Sequence, residues 1–423
     1  MFPISQLEQK SVIQFNLIVF LSILCKHKKL SAKMTTLNKP RIQSIDLLKG
    51  LVMVVMALDH VRDYFHYSAF IFDPTDPTQT TLPIFFTRWI THFCAPIFSF
   101  LAGVSAFMVG KRKTKQELSL YLLKRGLWLI FMELTIIGFA WFFDIHFGTF
   151  ALVVIWSLGV SMLFLAGMVF LPRGYIFWIS LIIIMGHNLF DSVHFPGSLV
   201  WAILHDPGMF QINQSTLLEI GYPIIPWVAV MSLGYYFGAF YDKEYDANTR
   251  KKIFNRIGLA AICLFAVLRY TNFYGDAKQF KHFGTWSKDL ISFLDPNKYP
   301  PSLLYLLMTL GVAFIVLANI EKLKGKVVDF FCTFGRVPFF YYILHIYLIH
   351  LTAMLFAQLT GFGWTKMLLP TWITFVPGFK GYGFSLWVVY AVWVAIILLL
   401  YPLCLKYDKY KQAHKEKWWL SYL

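Results

Sequence analysis

Residues 41–66, RIQSIDLLKGLVMVVMALDHVRDYFH, combine an apolar centre with two charged ends in one segment. The apolar run covers 47–58 and is interrupted only by Lys49 and Gly50. On an α-helix with a rise of ~1.5 Å per residue, Asp46 and His66 lie about 30 Å apart, which is the hydrocarbon thickness of a bilayer. The segment therefore predicts a membrane-spanning helix with a basic end at one face and an ionisable cluster near the other.

The composition of the whole chain agrees with a membrane protein. Hydrophobic residues occupy 58% of the 423 positions and charged residues only 14%, whereas a soluble domain carries roughly 25% charged residues. Too few polar side chains remain to cover a water-facing surface, so we predict an all-α, polytopic integral membrane protein. The five cysteines have no CxxC spacing, which favours small core residues over a disulfide or zinc framework.

Hydropathy predicts about ten transmembrane helices in one bundle. The predicted spans are 47–67, 85–109, 126–144, 150–171, 175–193, 221–241, 257–272, 301–319, 337–357 and 383–404. We therefore divide the chain into an N-terminal extension and cytoplasmic tail at 1–40, a transmembrane domain at 41–405 and a cytoplasmic C-terminal tail at 406–423. Within the first of these, residues 1–33 are interpreted as an upstream extension or a short interfacial helix.

The basic residues are distributed unevenly along this pattern. Most of the 38 Lys and Arg residues precede the first span or follow every second span. The positive-inside rule then places both ends of the ten-helix body in the cytoplasm. The net charge of +16 is thus an orientation signal, and we expect membrane lipid but no nucleic acid as a partner.

Four ionisable residues share one face of the first predicted helix. Asp59, Arg62, Asp63 and His66 are spaced i, i+3, i+4 and i+7, so Arg62 can neutralise either carboxylate and His66 can share a proton with Asp63. His60 points about 100° away from Asp59. Ionisable groups at membrane depth are costly and usually face a cavity with a function. The alternative interpretation is that these residues form the solvated end of the helix.

An imidazole at position 60 offers two kinds of chemistry. It could act as a general base toward a hydroxyl or amine, or as a nucleophile that carries an acyl group. A neighbouring carboxylate would orient it and stabilise the imidazolium form. We therefore predict His60, His66, Asp59 and Asp63 as the catalytic residues.

Further polar residues fall near the same ends of other predicted spans. The predicted substrate-binding residues are Arg62, Arg88, His92, His187 and His345. The long loops at this side are rich in Pro, Asp, Asn and aromatic residues, which suits a sugar-like ligand. For His345, which lies near mid-membrane in an aromatic helix, the alternative is a packed and hydrogen-bonded ring.

One group of residues has a spacing compatible with a metal site, but we do not expect a metal there. His187, Asp191 and His194 are spaced i, i+4 and i+7, which is compatible with a metal ion, but such spacing more often marks a hydrogen-bonded helix end. The sequence has no HExxH motif.

The opposite end of the first span suits an anionic donor. Basic residues there, including Arg41 and Lys49, could hold the phosphates of a cytosolic donor. The alternatives are an orientation signal for the cations and an N-cap or favourable helix-start anion for Asp46.

The segment RIQSIDLLKGLVMVVMALDH resembles the first helix of the heparan-alpha-glucosaminide N-acetyltransferase catalytic-domain family, within the wider transmembrane acyltransferases. That family has an Arg, then Asp-x-x-Arg-Gly, an apolar run, a Met and a His or Asn. The matching positions are Arg41, Asp46, Lys49, Gly50, Met56 and His60. YPIIPWVAVMSLGYYFG and FGRVPFFYYILHIYLIH also resemble segments of bacterial members, so the resemblance extends to the end of the tenth span.

The resemblance implies an enzyme of the bacterial inner membrane that uses cytosolic acyl-CoA, with acetyl-CoA as donor, and acylates a sugar-like acceptor on the far side. It implies donor binding by Arg41, Asp46 and Lys49, and it places His60 at the motif's His/Asn position, with His66 as the nearest counterpart of a second histidine. Two departures stand out. Lys49 replaces the usual Arg, and VIWSLGVSML lacks a Gln-Arg-Ile sequence found in many members.

Two other classes of function remain open at this point. A proton-coupled transporter or flippase of a polar metabolite would use the same charged cluster as its binding site, although the sequence shows no inverted repeat. A non-catalytic membrane scaffold would leave the cluster without a purpose. A homodimer is compatible with the sequence, which does not fix the oligomeric state.

Overall fold

The computed structural model describes residues 42–376 and 378–423, and most of these residues are helical. The long helices are α1 Gln43–Phe65, α2 Leu82–Gly110, α3 115–142, α4 Val154–Met168, α5 Arg173–Phe190, α6 Ile224–Tyr241, α7 Ala247–Thr271, α8 Leu303–Ile320, α9 Lys326–Arg336, α10 Pro338–Leu359 and α11 Leu386–Ala413. Short helices occupy Leu199–Leu204 and Trp286–Leu294. The chain is an all-α polytopic membrane protein, as predicted.

Each predicted span coincides with one of these helices. Seven helices of the described residues, α2, α5, α6, α7, α8, α10 and α11, are long and apolar enough to cross a membrane. Of the other three, α1 and α3 carry several charged residues and α4 has 15 residues. The count of ten spans thus stays a prediction, while the membrane class is confirmed.

Several helices extend beyond the predicted spans by more than a turn. α3 begins at Lys115 rather than 126, because Thr114 and Glu117 form a reciprocal capping box at its start. α7 begins at Ala247 rather than 257, where the Asp246 side chain accepts a hydrogen bond from the Thr249 amide. α11 continues to Ala413, beyond the predicted end at 404.

The structure also contains a small sheet that the sequence did not predict. Its strands are β1 Thr149–Leu152, β2 Gly208–Asn213 and β3 Thr216–Ile220. β3 lies in the middle, parallel to β1 and antiparallel to β2. β1 replaces the predicted start of the fourth span, and β2 and β3 form a hairpin in a predicted loop. The sheet therefore joins the starts of α4 and α6.

α1 is the central helix of the bundle, in contact with α2, α8, α9, α10 and α11. Its crossing with α9 depends on two glycines. A Cβ atom on Gly50 would lie 1.8 Å from the Phe331 carbonyl oxygen, and one on Gly335 would lie 1.8 Å from the Asp46 carbonyl oxygen. The two backbones therefore touch, as small residues allow between membrane helices.

A second close crossing joins α2 and α6. A Cβ atom on Gly234 would lie 2.0 Å from the Phe100 carbonyl oxygen, and one on Gly103 would lie 1.9 Å from that of Met231. This contact is the close packing that small residues allow between membrane helices. The two crossings thus hold α1 against α9 and α2 against α6.

Candidate active site

A cavity of about 740 Å³ lies at the polar end of α1. α1 and α2 place five predicted site residues in its wall: Asp59, His60, Arg62, Asp63 and Arg88. Aromatic side chains from distant segments line the same space, among them Trp141, Tyr222, Tyr299, Tyr342 and Trp372. The cavity is large enough for a small organic ligand, and its wall offers both apolar ring faces and charged groups.

His60 and His345 form a direct pair beside this cavity. His60 Nδ1 lies 2.8 Å from His345 Nε2, and His345 Nδ1 lies 3.1 Å from the Tyr341 carbonyl oxygen. A carbonyl oxygen only accepts, so this network assigns the proton of His345 to Nδ1 and leaves its Nε2 as an acceptor. His60 then donates from Nδ1, and its Nε2 carries a lone pair.

The surroundings of His60 are aromatic. Trp141 packs edge-on to the imidazole with ring centroids 4.7 Å apart, and Tyr342 lies at 6.4 Å. Within the described residues, no side chain or carbonyl hydrogen-bonds His60 Nε2. A lone-pair nitrogen on a cavity wall is the arrangement that a general base or a nucleophile requires.

Asp59 is held by two arginines. Arg88 Nη1 forms an ion pair with Asp59 Oδ2, and Arg62 Nη2 lies 3.0 Å from Asp59 Oδ1. The same Arg62 nitrogen lies 2.5 Å from Asp63 Oδ1, so the ion pairing predicted from the i, i+3 spacing is present. These contacts fix two carboxylates and two guanidinium groups at the wall of the cavity.

Two other predicted histidines lie away from the cavity wall. α1 ends at Phe65, and His66 Nδ1 lies 2.6 Å from Ser68 Oγ. The helical face predicted for Asp59, Arg62, Asp63 and His66 therefore ends at Asp63. His92 is buried, and its backbone carbonyl accepts a hydrogen bond from the Tyr305 hydroxyl. Their catalytic and substrate-binding roles stay predictions.

A second cavity, of about 180 Å³, lies toward the basic end of α1. Lys49 and Arg125 line it, and Lys49 Nζ donates to Ser105 Oγ over 2.6 Å. Of the other predicted donor residues, Asp46 lies in the first turn of α1, and Arg41 lies outside the described residues.

The two cavities adjoin. Met56, Phe98, Val154 and Tyr342 line both of them. These four side chains therefore lie between the space beside Lys49 and the space beside His60. Along α1, the eleven residues from Lys49 to His60 span about 16 Å at ~1.5 Å each.

Comparison with known proteins identifies the family. A sequence model described as heparan-alpha-glucosaminide N-acetyltransferase, catalytic, matches residues 41–269, which is more than half of the chain. The chain belongs to this family. No individual curated protein matches it. Membership confirms the predicted resemblance and places the chain among membrane-bound acyltransferases.

The family match contains α1 with His60 but ends before α10. His345, the hydrogen-bond partner of His60, thus lies beyond the region that the match covers, and the wider extent of the resemblance stays a prediction. The fold brings the two histidines together across 285 positions of sequence.

Glu219 of this acetyltransferase-family protein lines the cavity, although it is not among the residues predicted from the sequence. It lies on β3 and lines the large cavity. Burial raises the pKa of Glu219 to about 7, against the opposing effect of a hydrogen bond with Trp372. The sequence offered only a lone acid before an apolar span, which gives no sign that a strand turns its side chain to the cavity.

His187 belongs to a different cluster. The structure brings His187, Asp191 and His205 together, with one potential ligand atom from each within 4.8 Å of the others. The predicted third member, His194, instead places its Nδ1 2.8 Å from Asp206 Oδ2. The helical spacing fails because α5 ends in a 3₁₀ turn at His187–Phe190. None of the three clustered residues lines the large cavity.

Proposed function

We propose that the protein transfers an acyl group from acyl-CoA, with acetyl-CoA as the expected donor, to a sugar-like acceptor on the other side of the membrane. The observation that carries this proposal is the position of His60, which lines the large cavity close to where that cavity adjoins the one lined by Lys49. Such an enzyme needs two binding spaces and one reactive group between them.

The donor occupies the smaller cavity in this proposal. Lys49 and Arg125 line this cavity and supply the positive charge that the phosphates of CoA require, and Arg41 and Asp46 lie at the same end of α1 in sequence. Along the route proposed here, the pantetheine arm passes Met56 and Val154, which line both cavities, and the thioester reaches His60. We place this end at the cytoplasm of a bacterial inner membrane, with both ends of the helical body on that side.

The acceptor occupies the larger cavity. Trp141, Trp372 and Tyr342 offer ring faces on which a sugar can stack. Arg62, Arg88 and Asp63 offer charged groups for hydroxyl or amino substituents. The combination favours a hydroxyl-rich ring over an apolar acceptor.

The chemical step requires one base and one leaving group. His60 Nε2 takes the proton from the acceptor hydroxyl or amine, whose oxygen or nitrogen attacks the thioester carbonyl carbon. The new carbon–oxygen or carbon–nitrogen bond forms, the carbon–sulfur bond breaks, and the thiolate of CoA takes the proton from the imidazolium. In the alternative sequence, Nε2 itself attacks and carries the acyl group before the acceptor removes it. His345 is a positioning residue in both, because it holds the His60 tautomer.

Binding of acetyl-CoA to the purified protein tests the donor site. We expect calorimetric binding that Lys49→Ala weakens by about tenfold, the loss of one charge-assisted contact. Lys124→Ala is the matched control, because Lys124 is exposed and does not line the cavity. Absence of binding to acetyl-CoA, CoA and longer acyl-CoAs alike would refute the donor proposal.

Transfer across a bilayer tests the whole proposal. With labelled acetyl-CoA inside proteoliposomes and amino sugars outside, acetylated sugar should form outside with wild type and not with His60→Ala. Uptake of unmodified sugar that survives in His60→Ala, without acetylation, would instead support the transporter.

A further inference from the structure

We propose that His187, Asp191 and His205 bind a zinc ion that fixes one wall of the large cavity. Two imidazoles and one carboxylate, with one ligand atom each within 4.8 Å of the others, make a donor set that zinc accepts in a tetrahedral site with a fourth, exchangeable position. The nitrogen-rich set favours zinc over magnesium or calcium, which prefer oxygen ligands.

The strongest support is the unused hydrogen-bonding capacity of buried groups. His187 is only 2% exposed, and neither of its ring nitrogens has a hydrogen-bond partner within the described residues. His205 is also 2% exposed, and its Nδ1 lacks a partner in the same part of the chain. Burying polar atoms without partners is costly. A metal ion would satisfy the imidazole lone pairs directly.

The carboxylate is already oriented for this role. Asp191 Oδ1 lies 3.1 Å from His205 Nε2, and Asp191 Oδ2 accepts a hydrogen bond of 2.7 Å from Asn188 Nδ2. Asn188 Oδ1 in turn accepts from the Leu303 amide at the start of α8. Metal-ligating carboxylates are commonly held by an outer partner of this kind, and here the partner connects the cluster to a neighbouring helix.

The location gives the ion a structural role. His187 and Asp191 lie at the end of α5, whereas His205 follows the short helix Leu199–Leu204. Pro207, Gly208 and Met209, which follow His205 closely, line the large cavity. A zinc ion would therefore tie this cavity wall to the end of α5, without touching the ligand in the cavity.

Metal content of the full chain, purified through a tag without histidines, tests the proposal. We expect about one zinc ion per chain in wild type, removable by a chelator and restored by added zinc. His187→Ala and His205→Ala should lose it. His194→Ala is the matched control, because His194 lies in the same loop, is exposed and pairs with Asp206 outside the cluster.

A second measurement covers variants that fail to fold. Cobalt added to the chelated wild-type protein should give the visible absorption of a tetrahedral site, and zinc should abolish it. The chelator should also lower the thermal midpoint of wild type and His194→Ala. If wild type binds neither zinc nor cobalt, or if the chelator changes nothing, the proposal is overturned and the cluster is a set of ordinary helix-end contacts.

Discussion

His60 Nδ1 donates a hydrogen bond of 2.8 Å to His345 Nε2, which lies 285 positions later in the chain. At the other side of the His345 ring, Nδ1 donates a hydrogen bond to the Tyr341 carbonyl oxygen. The two hydrogen bonds determine which nitrogen of each imidazole is protonated. The unprotonated state of His60 Nε2 is therefore set by residues of another helix, α10.

Loss of the His345 acceptor should reduce turnover without removing His60. We expect His345→Ala to lower kcat about 10- to 100-fold, as for other outer partners of a reactive imidazole, and to change the pH profile of kcat. His345→Gln should recover part of the loss, because its side-chain oxygen can accept from His60 Nδ1. Equal losses in the two variants with an unchanged pH profile would indicate a packing role only. His282→Ala is the control and should keep most of the wild-type kcat, since His282 is exposed, pairs with Asp289 and does not line the large cavity.

A bulkier side chain between the two cavities should separate donor binding from transfer. Val154→Phe narrows the route where four side chains line both cavities. We expect acetyl-CoA to bind nearly as before while kcat falls by about 10²-fold, because the thioester is held away from His60. Val267→Phe, at an exposed position of α7, serves as the control. Normal turnover in Val154→Phe would argue against this route for the acyl group.

The crossing of α1 and α9 should tolerate no side chain at position 50. Gly50→Ala would bring a methyl group to 1.8 Å from the Phe331 carbonyl oxygen, and we expect a loss of about 1–3 kcal/mol from overpacking. Gly167→Ala has open space around the added atom and should be neutral or slightly stabilising in a helix. Thermal midpoints in detergent compare the two. Similar midpoints would contradict the close crossing.

Glu219 should make stability depend on pH. Its pKa of about 7 lies above the ordinary value of 4.5, so between these values the folded protein holds a proton that the unfolded chain releases. The contribution of Glu219 to the free energy of unfolding should therefore be greatest below pH 4.5. About 3 kcal/mol of it should be lost as pH rises from 4.5 through 7.

Thermal midpoints measured from pH 4 to pH 8 test this assignment. Glu219→Gln should remove the decrease of the thermal midpoint with pH that arises from this carboxyl. Glu244→Gln, at an exposed position, should leave the decrease unchanged. If the slopes of wild type and Glu219→Gln coincide, the carboxyl does not titrate in this window.

The sequence predicted best what is local along one helix. The presence of one helix at this position, its two chemically different ends and the contact of Arg62 with Asp59 all follow from spacing within 43–65. Family membership followed from the same segment. These features depend on helical geometry alone, so neighbouring positions are sufficient to predict them.

The rest depends on contacts between distant segments. No local pattern joins His60 to His345, Glu219 to Trp372 or His187 to His205. His66 and His194 were predicted to share a helical face with residues that precede them. They do not, because α1 and α5 each end before these histidines are reached. The hairpin of β2 and β3 was missed since its strands are too short for a clear alternation.

The four side chains shared by the two cavities have a consequence for the membrane itself. Met56, Phe98 and Val154 are apolar, and Tyr342 is the fourth. A narrow apolar passage does not hold a continuous column of water, and small ions cross it poorly. On the proposed route, the protein would thus pass an acyl group from one side to the other while the ion gradients and the membrane potential of the cell remain intact.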